Sequence, residues 1–250
     1  MKNFTKTEID LIKKNYDKNG WVKIPNFLNK KQLTLTKKKL DSFLKSSKQK
    51  YSGRDINFTD SKEVNSFHKM HDLDWVKKFS KKKNLKNFVK VFLNSEPELR
   101  ASELFAKPKK VGLPAPIHQD NFYWRVKNSN ALTIWIALSS SDVKNGGVFY
   151  FNGSHKNGLY DHVASFAKGS SQKIKNLNKL KRYKKYTPSL KPGDAIVHHV
   201  LVAHGSKRNK TKRPRQGWTL QFKDKKSFYD KAAIAFYEKS LKKQLNLRGQ

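Results

Sequence analysis

The 250-residue chain contains no cysteine. That absence removes disulfides, thiolate metal ligands and a cysteine nucleophile together, so a bound metal must be held by histidine and carboxylate. Acidic residues are scarce, 19 Asp and Glu against 55 Lys and Arg, so each aspartate asks to be explained by its position. Long apolar runs are missing as well. Nothing approaches the roughly 20 residues needed to cross a bilayer, and the polar stretch from Met1 to Gly20 lacks the apolar middle of a signal peptide. The expectation is a soluble, cytoplasmic protein with no membrane span. What is there suffices for a core: 36% hydrophobic and 12% aromatic residues suit a single domain over 1–250 with decorations.

The net charge of +36 raises nucleic acid or an anionic membrane as partners. The excess is almost all lysine, spread from Lys2 to Lys243, whereas groove and phosphate readers lean on arginine. Runs such as "KKFSKKKNLKNF" (Lys77 to Phe88) read as solvated helix. Nucleic acid is therefore not the expected partner. A basic nucleic-acid-binding protein, the alternative, would gather its cations on one face beside exposed aromatics.

The first hundred residues read as mainly helical. "TKTEIDLIKKNYDKNG" ends on Gly20, a C-cap, and "NKKQLTLTKKKLDSFLKSS" carries Leu33, Leu35, Leu40 and Leu44 at helical spacing, with "WVKIPNF" a short strand between them. From Ala101 the texture changes. "SELFAK", "ALTIWIAL", "GGVFYF", "DAIVHHVLVAH" and "GWTLQF" are short, β-branched or aromatic, and punctuated by Gly, Pro, Asn or Ser. They predict a sandwich or jelly roll over 101–223. The lysine-rich stretch 156–188 is too long for a turn and reads as a lid insertion. A C-terminal helix within 224–250 packs outside.

"APIHQDNFYW" places His118 and Asp120 two apart, so in an extended strand both project to one face while Gln119 projects away. A third ligand is offered by His198, His199 or His204 in "KPGDAIVHHVLVAHGS". His204 closes an apolar strand and precedes Gly205 and Ser206. Two histidines and a carboxylate on a β scaffold make a facial triad with open positions for Fe(II) chemistry, and an arginine one strand away would hold the far carboxylate of a chelating 2-oxo acid. Phe122, Tyr123, Trp124 and Trp218 suggest an aromatic-lined substrate pocket for an apolar body or a cationic head.

In order along the chain, "YDKNGWVKIPNFLNKKQL", "PIHQDNFYW", "LTIWIALSSSDVKNGGVFYFNGSHKNGL" and "KPGDAIVHHVLVAHGSKRNKTKRPR" resemble the phytanoyl-CoA dioxygenase family of Fe(II)/2-oxoglutarate oxygenases. The resemblance implies a mainly β fold, a double-stranded β-helix (cupin-like jelly roll) with N- and C-terminal helices. It implies that His118, Asp120 and His204 are the iron ligands and catalytic centre, and that Arg215 rather than Arg213 pairs with 2-oxoglutarate. Ser206 matches a serine that supports the same carboxylate, and Trp135 an aromatic wall of that pocket. Lys107 resembles a family lysine near the site, and reads equally as a surface lysine. The reaction implied consumes dioxygen and 2-oxoglutarate, releases succinate and carbon dioxide, and hydroxylates an unactivated C–H of a small molecule. An intact Asp120 speaks against halogenation, because halogenating relatives lack this carboxylate. The same scaffold could serve a nucleic-acid demethylase, but the more extended arginine pattern of those enzymes is not matched. His199 and His198 read as packed or supporting, His155 as part of a turn, and His162 as exposed.

Overall fold

The computed structural model describes residues 4–47, 55–167 and 170–247. Among the described residues, thirteen strands, numbered along the chain, form two facing antiparallel sheets and a hairpin. The larger sheet runs, in spatial order, β1 (Trp21–Ile24), β11 (Ala195–His199), β6 (Ala131–Ala137), β13 (Arg215–Asp224), β4 (Pro97–Lys107), β3 (Val64–Phe67) and β2 (Ile56–Phe58). The smaller runs β10 (Lys185–Tyr186), β7 (Val148–Phe151), β12 (His204–Ser206) and β5 (Ala115–His118). The hairpin is β8 (His162–Ala167) with β9 (Ser170–Ile174). This is the cupin-like jelly roll.

Helices cover the outer face of the larger sheet, and alternation along its strands sorts side chains between two compartments. On β6, Leu132, Ile134 and Ile136 face the helices, while Thr133 and Trp135 face the smaller sheet. Burying both faces explains a strand that is apolar or aromatic at six of its seven positions. Each of the three fully buried aliphatics contributes about 1.5–3 kcal/mol. They meet Tyr16 of α1 (Lys6–Asn19), Leu40 of α2 (Lys30–Ser47), Val76 of α3 (Asp74–Ser80), and Leu85, Phe88 and Val89 of α4 (Lys83–Leu93). Thr5 and Glu8 form a capping box at the start of α1, and Gly20 ends it in the left-handed region (φ 78°), donating to the Tyr16 carbonyl.

Several boundaries differ from the sequence reading. The "WVKIPNF" strand appears as β1, but the mainly helical first hundred residues also supply β2 and β3, and β4 starts at Pro97, before Ala101. The stretch 156–188 contains the β8–β9 hairpin, and its β10 pairs with β7 in the smaller sheet. The C-terminal helix α6 (Lys231–Asn246) does not simply pack outside: Tyr237, Leu241 and Leu245 line the cavity between the sheets. Among the described residues, no helix is long and apolar enough to cross a membrane.

Candidate active site

β5 ends at His118 and the chain enters a one-turn helix, α5 (Asp120–Trp124), with Gln119 still extended at φ −122°, ψ 134°. Because Gln119 stays extended, His118 and Asp120 share a face even though the strand has ended. Gln119, fully buried on the other face, anchors them. Its amide nitrogen donates to the Gly158 and Leu201 carbonyls (2.8 and 2.6 Å), and its oxygen accepts from the Tyr160 N–H (2.7 Å).

His204 on β12 stands directly opposite His118 on β5, and the two rings lie 4.3 Å apart. The ligand atoms of His118, Asp120 and His204 all fall within 4.8 Å of one another. Nδ1 of His118 lies 2.7 Å from the Pro116 carbonyl and Nδ1 of His204 lies 3.0 Å from the Val202 carbonyl. A carbonyl only accepts, so both Nδ1 atoms carry the proton and both Nε2 atoms present a lone pair. Those Nε2 atoms sit 3.6 and 3.5 Å from Asp120 Oδ1. Three lone-pair donors thus converge with no proton among them, which is what a divalent cation requires and what fits Fe(II).

The other carboxylate oxygen is held from behind. Asp120 Oδ2 accepts from the Thr133 hydroxyl (2.8 Å) and from His198 Nε2 (3.1 Å), and Tyr150 Oη lies 3.3 Å from His198 Nδ1. Burial works against the charged carboxylate, but the surrounding donors, among them the His198 hydrogen bond, hold Asp120 well below the usual range. Burial, reinforced by His118, pulls His204 down to about 3, so its ring is neutral and free to ligate.

Arg215 opens β13 and is 2% exposed. Its Nε and Nη2 donate to the Gly146 carbonyl (3.3 and 3.0 Å), while Nη1 is buried with no hydrogen-bond partner among the described residues. The guanidinium carbon is 5.2 Å from the Trp135 ring. Gly217 leaves room for that ring: a Cβ there would come within 1.9 Å of it. Burial lowers Arg215 to about 10, which leaves it charged at neutral pH. Lys107 faces Arg215 across the strand pair and is buried, not a surface lysine; its ammonium donates to the Leu113 and Lys207 carbonyls (2.5 and 2.6 Å). Burial, then Arg215 and Arg208, brings it down to about 6. Ser206 and Trp135 line the same cavity of about 350 Å³. A buried guanidinium with an unused donor and, among the described residues, no acidic partner within ion-pair distance fits the distal carboxylate of 2-oxoglutarate. Arg213, by contrast, is half-exposed and paired with Asp142 at 2.8 Å.

Two expected substrate contacts are corrected. Trp218 is fully buried on the helix side of β13, its ring against Trp75 and Phe79 and its Nε1 donating to Ser102 Oγ at 2.8 Å. Alternation decides this, since Arg215, Thr219 and Gln221 take the cavity face. Phe122 points away from the cavity and stacks on His162 (4.3 Å) beneath the Arg125 guanidinium. Trp124 does reach the cavity wall, as does Tyr123. His162 is not exposed: its Nε2 accepts from the Gln119 N–H (3.1 Å), its Nδ1 donates to the Tyr160 carbonyl (2.8 Å), and burial pulls it to about 4. The roles of Thr133, Tyr150 and Gln119 went unread from sequence. A signal existed only for Thr133, the one polar side chain in an otherwise apolar strand.

The family model described as phytanoyl-CoA dioxygenase (PhyH) matches residues 16–217. A phytanoyl-CoA dioxygenase domain-containing protein 1 homolog of Caenorhabditis elegans is 27% identical over 169 residues, 64% of this chain and 58% of that protein. The chain thus spans little more than half the length of this curated relative. Among solved structures, the epimerase SnoN from nogalamycin biosynthesis, in complex with Fe3+, alpha ketoglutarate and nogalamycin RO, superposes with a TM-score of 0.75 at 19% identity, covering 93% of this chain and 90% of its own. EctD from S. alaskensis, with 2-oxoglutarate and 5-hydroxyectoine, gives 0.71 at 20% identity, covering 88% and 76%. Since the family match runs from the first helix into the strand that begins at Arg215 and takes in all three members of the His118–Asp120–His204 cluster, the chain belongs to the phytanoyl-CoA dioxygenase family.

Proposed function

We propose that the protein is an Fe(II)- and 2-oxoglutarate-dependent dioxygenase that hydroxylates an unactivated C–H of a small-molecule metabolite within one catalytic unit in the cytoplasm. The observation that carries the reading is the convergence of three proton-free donors, on His118, Asp120 and His204, in a cavity that also holds the unpartnered donor of Arg215. When bound, the metal and its cosubstrate supply oxidative decarboxylation of 2-oxoglutarate to succinate and carbon dioxide, coupled to insertion of one dioxygen atom into the substrate.

The chain's own residues do the rest. His118 and His204 present fixed lone pairs, and Thr133 and His198 hold Asp120 so that one oxygen faces the metal position. Arg215 binds the distal carboxylate, Ser206 supports it, and Trp135 walls the pocket. Lys107 adds a donor beside Arg215. The α6 helix and the β8–β9 hairpin flank the cavity and exclude water.

The test is anaerobic. Protein given Fe(II) and 2-oxoglutarate should show the weak visible absorption of the iron–2-oxoglutarate chelate, and His118→Ala or Asp120→Ala should lose it while keeping the far-UV circular dichroism. No band in the wild-type protein would sink the reading. Succinate release is then screened against small metabolites, acyl-CoAs and oligonucleotides; stimulation by oligonucleotides alone would overturn the small-molecule assignment.

A further inference from the structure

The cavity has a second guanidinium that the cosubstrate site does not use. Arg100 projects from β4 into the wall facing the metal cluster. Its guanidinium carbon lies 4.7 Å from the Trp124 ring and its Nη1 donates to Gln221 Oε1 at 2.7 Å, while Nε is buried and has no hydrogen-bond partner among the described residues. The acids on its own strand are already engaged, Glu98 with Lys223 at 2.9 Å. Glu103 accepts from Gln221 Nε2 (2.7 Å) and pairs with His68 at 3.0 Å. Among the described residues no carboxylate lies within ion-pair distance of the Arg100 guanidinium, which contacts the Gln221 oxygen and the Trp124 face.

Register places this charge near the chemistry. Gln221 pairs with Thr133 on one side and with Ala101 on the other, and Thr133 is the residue that holds Asp120. Two strand spacings, about 10 Å, separate the backbone beside Arg100 from the backbone beside Asp120. We propose that Arg100 is the substrate anchor: the substrate is a small molecule bearing a carboxylate or phosphate oxyanion that docks on the Nε–Nη2 edge of Arg100 and lays its oxidised carbon beside the metal.

The inference rests on the dioxygenase reading above and adds the substrate class. Physically, a guanidinium whose Nε is sealed from water without a paired carboxylate is costly, and an incoming oxyanion offsets that cost. The Trp124 face and Gln221 fix the rotation of the fork before the ligand arrives, so little ordering entropy is lost. The same contact excludes a cationic head over Trp124, because the ring already carries a cation.

The test uses the full chain with Fe(II) and 2-oxoglutarate and probe pairs that differ only in charge: small carboxylates and phosphomonoesters against their methyl esters, amides or parent alcohols. Anionic members should stimulate succinate release and their uncharged partners should not; the carboxylate and phosphate arms tell the two oxyanions apart. Arg100→Gln should raise the half-saturating concentration of a stimulating anion on the order of 100-fold, and Arg100→Lys, which keeps the charge but not the fork, by less. Preference for uncharged members, equal stimulation by both members of each pair, or no stimulation by any anion overturns the proposal. The chelate band reports separately on the underlying reading. If the band forms and uncharged probes win, only the anchor fails. If the band is absent, calorimetric titration of the same pairs into metal-free protein, wild type against Arg100→Gln, still decides whether Arg100 selects an anion.

Discussion

Arg213 and Arg215 lie two positions apart, yet one is half-exposed beside Asp142 and the other is sealed next to Trp135 with a donor to spare. A surface pair of the first kind contributes little, about 0–1 kcal/mol. Removing a buried charge that pairs with a bound carboxylate costs on the order of 3–5 kcal/mol. Arg215→Ala should therefore abolish measurable 2-oxoglutarate binding by calorimetry, whereas Arg213→Ala should shift it by less than about tenfold. The reverse ranking would mean that the cosubstrate sits elsewhere. Arg215 was singled out by its place in the motif. Arg100 was not, because nothing local in "ELRASEL" distinguishes a cavity arginine from a surface one; its environment is assembled by Gln221 and Trp124 from distant segments.

Among the elements, α6 was foreseen as a helix but not as a wall. Its tether is short: Asp230 Oδ1 accepts the Ala233 N–H at 3.1 Å, and the Asp230 N–H donates to the Arg125 carbonyl. The apolar side of the helix then carries Tyr237, Leu241 and Leu245 over the cavity. Asp230→Ala removes an N-cap and should cost about 1 kcal/mol of local stability. Amide exchange along α6 should accelerate roughly fivefold for that cost, and the KM for a stimulating substrate should rise without a change in 2-oxoglutarate affinity. Unchanged exchange would show that packing rather than the cap holds the helix. The β8–β9 hairpin belongs to the same layer. Composition marked it as an insertion and could not reveal a strand pair, since "HVASFA" and "SSQKI" are too short and polar to carry a clear period.

For the whole molecule, the +36 charge is mostly lysine, while only a few basic side chains line the cavity, Arg100, Lys107 and Arg215 among them. Histidines whose pKa is depressed in the fold make it less stable as the pH falls. His199 Nδ1 accepts the Leu201 N–H at 3.0 Å, and burial, followed by His155 and His198, lowers its pKa to about 3. The unfolded chain titrates this group near its ordinary value of about 6.5. Between those two values the unfolded state binds more protons, so the His199 contribution is complete above about pH 6.5 and is lost as pH falls toward 3. One such group gives a slope of up to about 1.4 kcal/mol per pH unit. His199→Asn keeps an acceptor for Leu201 and cannot titrate, so urea unfolding between pH 6.5 and 4 should show a shallower pH dependence than the wild-type protein. An unaltered slope would assign acid sensitivity to other groups.

Alternation, punctuation and the ordered motifs determined the jelly-roll class and the His118–Asp120–His204 cluster, because each depends on neighbours within a few residues of one another or on a motif whose order survives in the linear chain. Which side chains face one another across the sheets was decided only by tertiary structure. Trp218 and Thr219 are adjacent in sequence and end in different compartments. His198 and Asp120 are 78 residues apart and share a hydrogen bond. Register and the stacking of the two sheets create those contacts, and neither is written in any local window of residues.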